Sequence, residues 1–180
     1  LILLAVAAHP RFPLVLAANR DEFYDRPTEA ADFWPDAPDI LAGRDLKDGG
    51  TWLGITQSGR IAALTNYRDP ASIKAEAPSR GWLVRNYLTG RESPDEYLDG
   101  LAARAHEHNG FSILVGDTSR LLWYSNRGGR QHLASGIYGL SNHLLDTPWP
   151  KVERGRTCLA EILAGAGTGA PPVEKLFALL

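Results

Sequence analysis

Apolar runs broken by short polar stretches set the rhythm of this chain, and few of those runs alternate. Residues 1–8 are apolar throughout, His9-Pro10-Arg11-Phe12-Pro13 turns the chain, and Leu14–Ala18 is apolar again. Runs this short, without alternation, predict strands buried on both faces, here joined as a hairpin. Asp48-Gly49-Gly50 and Ser58-Gly59 bracket a second hairpin, Thr51–Thr56 with Arg60–Asn66. Gly49, Gly50 and Gly54 around Trp52 predict backbone that passes close to a ligand or another strand. Between Glu22 and Asp48 the prolines 27, 35 and 38 and the scattered aromatics predict a long irregular loop.

Helical spacing follows. Ser79 is positioned to cap a short helix carrying Trp82, Leu83 and Leu88. Ser93-Pro94-Asp95-Glu96 is a capping box with proline at the first helical position. Tyr97, Leu98, Leu101, Ala102 and Ala105 form the apolar stripe behind it, and Asn109-Gly110 ends that helix. Strands are predicted at 111–115, 121–124, 131–134 and 137–141. A helix opens at Thr147-Pro148 with Val152, Leu159, Ile162 and Leu163 on one side, 165–170 is a linker, and Pro172 starts a last helix. Short hairpin connections argue for antiparallel sheets, and strands apolar on both faces need a covering layer on each side. The expected class is α+β, with two antiparallel sheets and helices outside them.

Composition narrows the function. A chain of 180 residues with 44% hydrophobic and 22% charged residues fits one domain. A formal net charge of -2 gives no basic footprint for nucleic acid, and no run approaches the length of a membrane span. A single cysteine, Cys158, rules out an internal disulfide framework and suits a cytoplasmic location; its mid-helix position predicts a structural role. With no methionine in front and no cap after Leu180, both ends read as cut. Of the five histidines, His106 and His108 do not share a helix face, and His9 falls in a predicted turn. None has the spacing of a zinc site, so no cofactor is expected. The expected partner is a small-molecule substrate or ligand.

Candidate chemistry gathers where apolar runs end. Three runs finish on asparagine, at Asn19, Asn66 and Asn142, each offering a donor and an acceptor. Taken singly, Asn19 and Asp21 are ordinary turn formers. The full set of motifs is more specific. Asn19-Arg20-Asp21-Glu22, Gly49-Gly50-Thr51-Trp52-Leu53-Gly54, Thr65-Asn66-Tyr67-Arg68, Ser79-Arg80-Gly81 and Gly139-Leu140-Ser141-Asn142 with Leu145–Val152 resemble the NRDE family, also called Transport and Golgi Organization protein 2-like.

The resemblance implies an N-terminal nucleophile hydrolase-like fold: a four-layer αββα sandwich, formed here by a single domain, 1–180, that lacks the initial Met-Cys and the closing strands. It implies a cysteine directly before Leu1 as nucleophile, its own amine as base, and hydrolysis of a non-peptide C–N bond in a small molecule. Asn66 and Asn142 match oxyanion donors, and Arg20 and Asp21 match residues that hold the nucleophile and its amine. Asn19, Glu22, Trp52 and His143 are expected to contact substrate. The alternatives are a non-catalytic carrier of a hydrophobic metabolite such as haem or an acyl or lipid species and, less favoured by this sequence, an adaptor in membrane traffic.

Overall fold

The computed structural model describes residues 1–180, which divide into two compact units: 1–21 with 133–180, and 22–132. No helix is long and apolar enough to cross a membrane.

The first unit is a three-stranded antiparallel sheet of β1 (Ile2–Val6), β2 (Leu14–Ala18) and β10 (Gly136–Leu140), with β1 in the middle. The expected hairpin is there: Ile2 faces Ala18, and on its other edge Leu140. A central strand flanked on both sides has no edge and no wet face, which is why β1 is apolar without alternation. α3 (Pro150–Ala166) lies across this sheet, with α4 (Val173–Phe177) beside it. Two glycines let α3 come close. A Cβ on Gly139 would stand 2.7 Å from Val152 Cγ1, and one on Gly155 would stand 2.7 Å from Leu3 Cδ1. Leu3, Ala5, Val15, Leu159 and Leu163 form the core between sheet and helix. Asp146 clasps β10 from the following turn: its amide donates to Gly139 O and its carboxylate accepts from Gly139 N, both at 2.8 Å. The φ of 53° at Asp146 is one that aspartate tolerates better than most residues.

In the second unit seven strands run antiparallel in chain order: β3 (Thr28–Trp34), β4 (Ala37–Asp45), β5 (Leu53–Thr56), β6 (Ile61–Asn66), β7 (Phe111–Gly116), β8 (Leu121–Ser125) and β9 (Gly129–His132). α1 (Gly81–Thr89) and α2 (Pro94–Arg104) share one core with it, built from Leu83, Val84, Tyr87, Tyr97, Leu98 and Leu101. The capping box at Ser93 and Glu96 is fully formed, a feature worth about 1 kcal/mol. Arg60 ties β6 to the end of α1, donating to Tyr87 O while its guanidinium lies 4.0 Å over the Tyr87 ring.

Several expectations are corrected here. Residues 28–45 are not an irregular loop but the β3–β4 hairpin. Bulges after Glu29 and Phe33 break the alternation, and all of 28–33 is exposed, so no apolar period marks it. Arg80, not Ser79, occupies the cap position of α1, and no side chain caps it. Ala102 is exposed, and the helix carrying it passes into a 3-10 turn at Ala105–Glu107. α3 begins at Pro150 and keeps Gly165 and Ala166, so the linker is shorter than expected. β9 runs from Gly129 to His132, two residues earlier than the expected 131–134. Finally, β2 and β10 flank β1 while β6 belongs to the other sheet, so the three asparagine-ended strands are not neighbours in one sheet.

Candidate active site

At the start of β1 the chain exchanges two backbone hydrogen bonds with Asn19. Leu1 N donates to Asn19 O at 3.4 Å, and Asn19 N donates to Leu1 O at 3.0 Å. β2 thus keeps its register for one residue past its end and carries Asn19 and Asp21 to the same end of the sheet. The Asn19 Nδ2 donates to Asp21 Oδ1 at 3.1 Å, while Asn19 Oδ1 is buried with no hydrogen-bond partner. A native buried acceptor is nearly always satisfied, so an unsatisfied one is a feature to explain.

Asn19 and Asp21 open onto a cavity of about 600 Å³ lined also by Leu1, Lys151, Arg154 and Cys158. Cys158 is half-buried on α3 and lines this cavity. Lys151 and Arg154 were given no individual role from the sequence, and Cys158 only a structural one. Their common signal is spacing, since positions three, four and seven apart share one helix face.

Asn142 and His143 follow β10 at the same end of the sheet. Ser141 is 2% exposed, and its hydroxyl donates to Asn142 Oδ1 at 3.4 Å. His143 Nδ1 is 2.9 Å from Thr147 Oγ1, and its ring lies 5.7 Å from that of Trp149. Arg20 follows Asn19 directly, between the two residues that line the cavity. Of the expected site residues, the first unit therefore holds Asn19, Arg20, Asp21, Asn142 and His143.

Asn66, Trp52 and Glu22 belong to the second unit. Asn66 closes β6 opposite Phe111, and the next residue, Tyr67, donates its amide to Gly110 O at 2.9 Å. The same carbonyl accepts from Arg80 at 2.7 Å, so the guanidinium of the Ser79-Arg80-Gly81 motif holds the turn that follows Asn66. Burial lowers the Arg80 pKa and Glu22 partly offsets this. Two glycine motifs meet beside it: Thr51 N donates to Gly81 O, and a Cβ on Gly50 would stand 2.5 Å from the Gly81 carbonyl carbon. That close backbone approach accounts for Gly50, whereas Gly49 has a φ of 72° and a Cβ on Gly54 would stand 2.6 Å from Leu88 Cδ1. Trp52 is half-buried, and its carbonyl accepts from Leu64 N at 2.7 Å. Glu22 accepts from Phe23 N and lies 4.0 Å from Arg26. Arg26 also bonds Asp45 and Asp48, pinning the turn that leads to Gly49.

Comparison with known proteins agrees with the motifs. A human Transport and Golgi organization protein 2 homolog is 44% identical over 179 residues, covering 94% of this chain and 64% of its own length. A bovine homolog is 46% identical over 160 residues, covering 83% and 58%. This chain thus spans roughly three fifths of the length of these relatives. Among solved structures, a Caenorhabditis elegans N-acylethanolamine-hydrolyzing acid amidase ortholog superposes with a TM-score of 0.60 at 12% identity, covering 99% of this chain and 84% of its own. That likeness shows the fold: α+β, with antiparallel sheets flanked by helices, as in N-terminal nucleophile hydrolases. The family model for Transport and Golgi organisation 2 matches residues 1–180, and the chain belongs to that family.

Proposed function

We propose that this protein is a cytoplasmic cysteine amidohydrolase of the N-terminal nucleophile kind, acting on a C–N bond of a small molecule. On this reading residues 1–180 are one family domain, and Leu1 directly follows the nucleophile. The register of β1 carries the proposal. Ile2 is level with Ala18 and Leu140, and Leu1 with Asn19. Continued by one residue, the same register sets the position before Leu1 level with Arg20 on one side and Asn142 on the other. A nucleophile there would stand between two of the residues singled out from sequence.

The chemistry follows from those residue types. The cysteine thiol gives its proton to its own α-amine, and the thiolate attacks the amide carbonyl carbon. As the tetrahedral oxyanion forms, the Asn142 side-chain amide donates to it, a contribution of about 3 kcal/mol for a single such donor. The C–N bond then breaks, the leaving amine takes the proton, and a thioester remains. Water, deprotonated by the freed α-amine, hydrolyses that thioester to the acid and restores the thiol. An amine acting as base must be uncharged near neutral pH. Arg20 and Asp21 orient the nucleophile and its amine. Asn19 and His143, on the same unit, contact the substrate.

The test is a full-length protein assayed against N-acylethanolamines and N-acyl amino acids. A free N-terminal cysteine by intact mass, and loss of turnover on replacing it with alanine, are expected. Methionine retained ahead of that cysteine, or turnover unchanged without it, would refute the proposal.

A further inference from the structure

The cavity beside Leu1 has a charge character that the reaction alone does not require. From the first turn of α3, Lys151 and Arg154 line it, and Cys158 follows one turn later on the same face. Neither cation is held by an ion pair or side-chain hydrogen bond; Lys151 Nζ rests 5.8 Å over the Trp149 ring. The ion-paired arginine of this helix is Arg156, which lies 3.4 Å from Asp146 and donates to Ile137 O. One carboxylate, Asp21, shares the cavity with the two cations, and it already accepts from Asn19. Leu1, Ala178 and Leu179 give the lining an apolar side. Two cations facing one side-chain carboxylate leave an excess of positive charge next to an apolar wall, which selects a molecule with both an anionic group and a hydrocarbon segment.

We propose that this cavity seats an amphipathic anion, with its carboxylate or phosphate on Lys151 and Arg154 and its apolar segment against Leu1 and Leu179. If the hydrolase reading holds, on which only this extension rests, the substrate is an acidic amide such as an N-acyl amino acid.

Binding separates the two claims, because it is read without turnover. The full-length protein is titrated calorimetrically with N-dodecanoylglycine, with its uncharged glycinamide and with dodecyl phosphate. Both anions are expected to bind about tenfold more tightly than the glycinamide, a difference that shrinks in high salt. Lys151→Ala and Arg154→Ala each weaken the anions about fivefold, as partly exposed charge pairs do, and leave the glycinamide unchanged. Lys151→Arg retains the preference. The tighter of the two anions identifies the headgroup as carboxylate or phosphate. Bound anion also slows alkylation of Cys158, followed by peptide mapping. Equal affinity for charged and uncharged probes, anion binding untouched in both alanine variants, or full Cys158 reactivity in the saturated protein would each overturn the proposal. Amide turnover that fails while the anion preference persists would overturn the hydrolase reading alone.

Discussion

The two units handle their polar groups in opposite ways. The seven-stranded unit spends its charged side chains on fastening backbone: Arg26 on Asp45 and Asp48, Arg44 on Asp36, Arg60 on Tyr87 O, Arg80 on Gly110 O. The three-stranded unit collects Asn19, Asp21, Lys151 and Arg154 at one cavity and leaves both cations unpaired. A group committed to holding the fold is not free to bind or react. The difference marks the larger unit as the better-fastened platform and the smaller one as the unit with chemistry to spare.

The comparison breaks first at Asn142. Asn142→Ala is expected to cut amide turnover about 100- to 1000-fold, far more than any accompanying loss of stability explains. Steady-state kinetics beside a thermal melt would show it, and a turnover loss that merely tracks unfolding would return Asn142 to a structural role.

Next comes the platform. Gly50→Ala drives a methyl into the Gly81 backbone, which has no rotamer to yield, so a loss of about 1–3 kcal/mol is expected from denaturant midpoints. Gly155→Ala meets only the flexible end of Leu3 and should cost less. Equal losses would mean that the smaller unit is packed as rigidly as the larger.

The smallest effect is a pH dependence. Burial holds the pKa of His108 below its ordinary 6.5, although its contact with Pro78 O acts the other way. The unfolded chain therefore takes up this proton first. Stability is fully present above pH 6.5 and declines as pH falls from there towards the folded pKa. Melting temperatures between pH 7 and 5 should show this slope, and His108→Gln should flatten it.

What could be read in the sequence followed the reach of the interaction. Ser93 and Glu96 satisfy each other within one helical turn, and Gly59 takes a φ of 88° inside a tight turn, so residue identity alone announces both. The β3–β4 hairpin stayed hidden because its bulges and exposed face erase the period of two. Asn19, Arg20, Asp21 and Asn142 were legible as polar ends of apolar runs, and family motifs assigned them roles.

The sequence by itself determined the α+β class, most of the elements and the family. Only the tertiary structure decided that β10 pairs with a strand more than 130 residues earlier, and that the α3 residues Lys151, Arg154 and Cys158 share a wall with Leu1. Local preferences act over a few residues of backbone, whereas a cavity is made by side chains that only packing brings together.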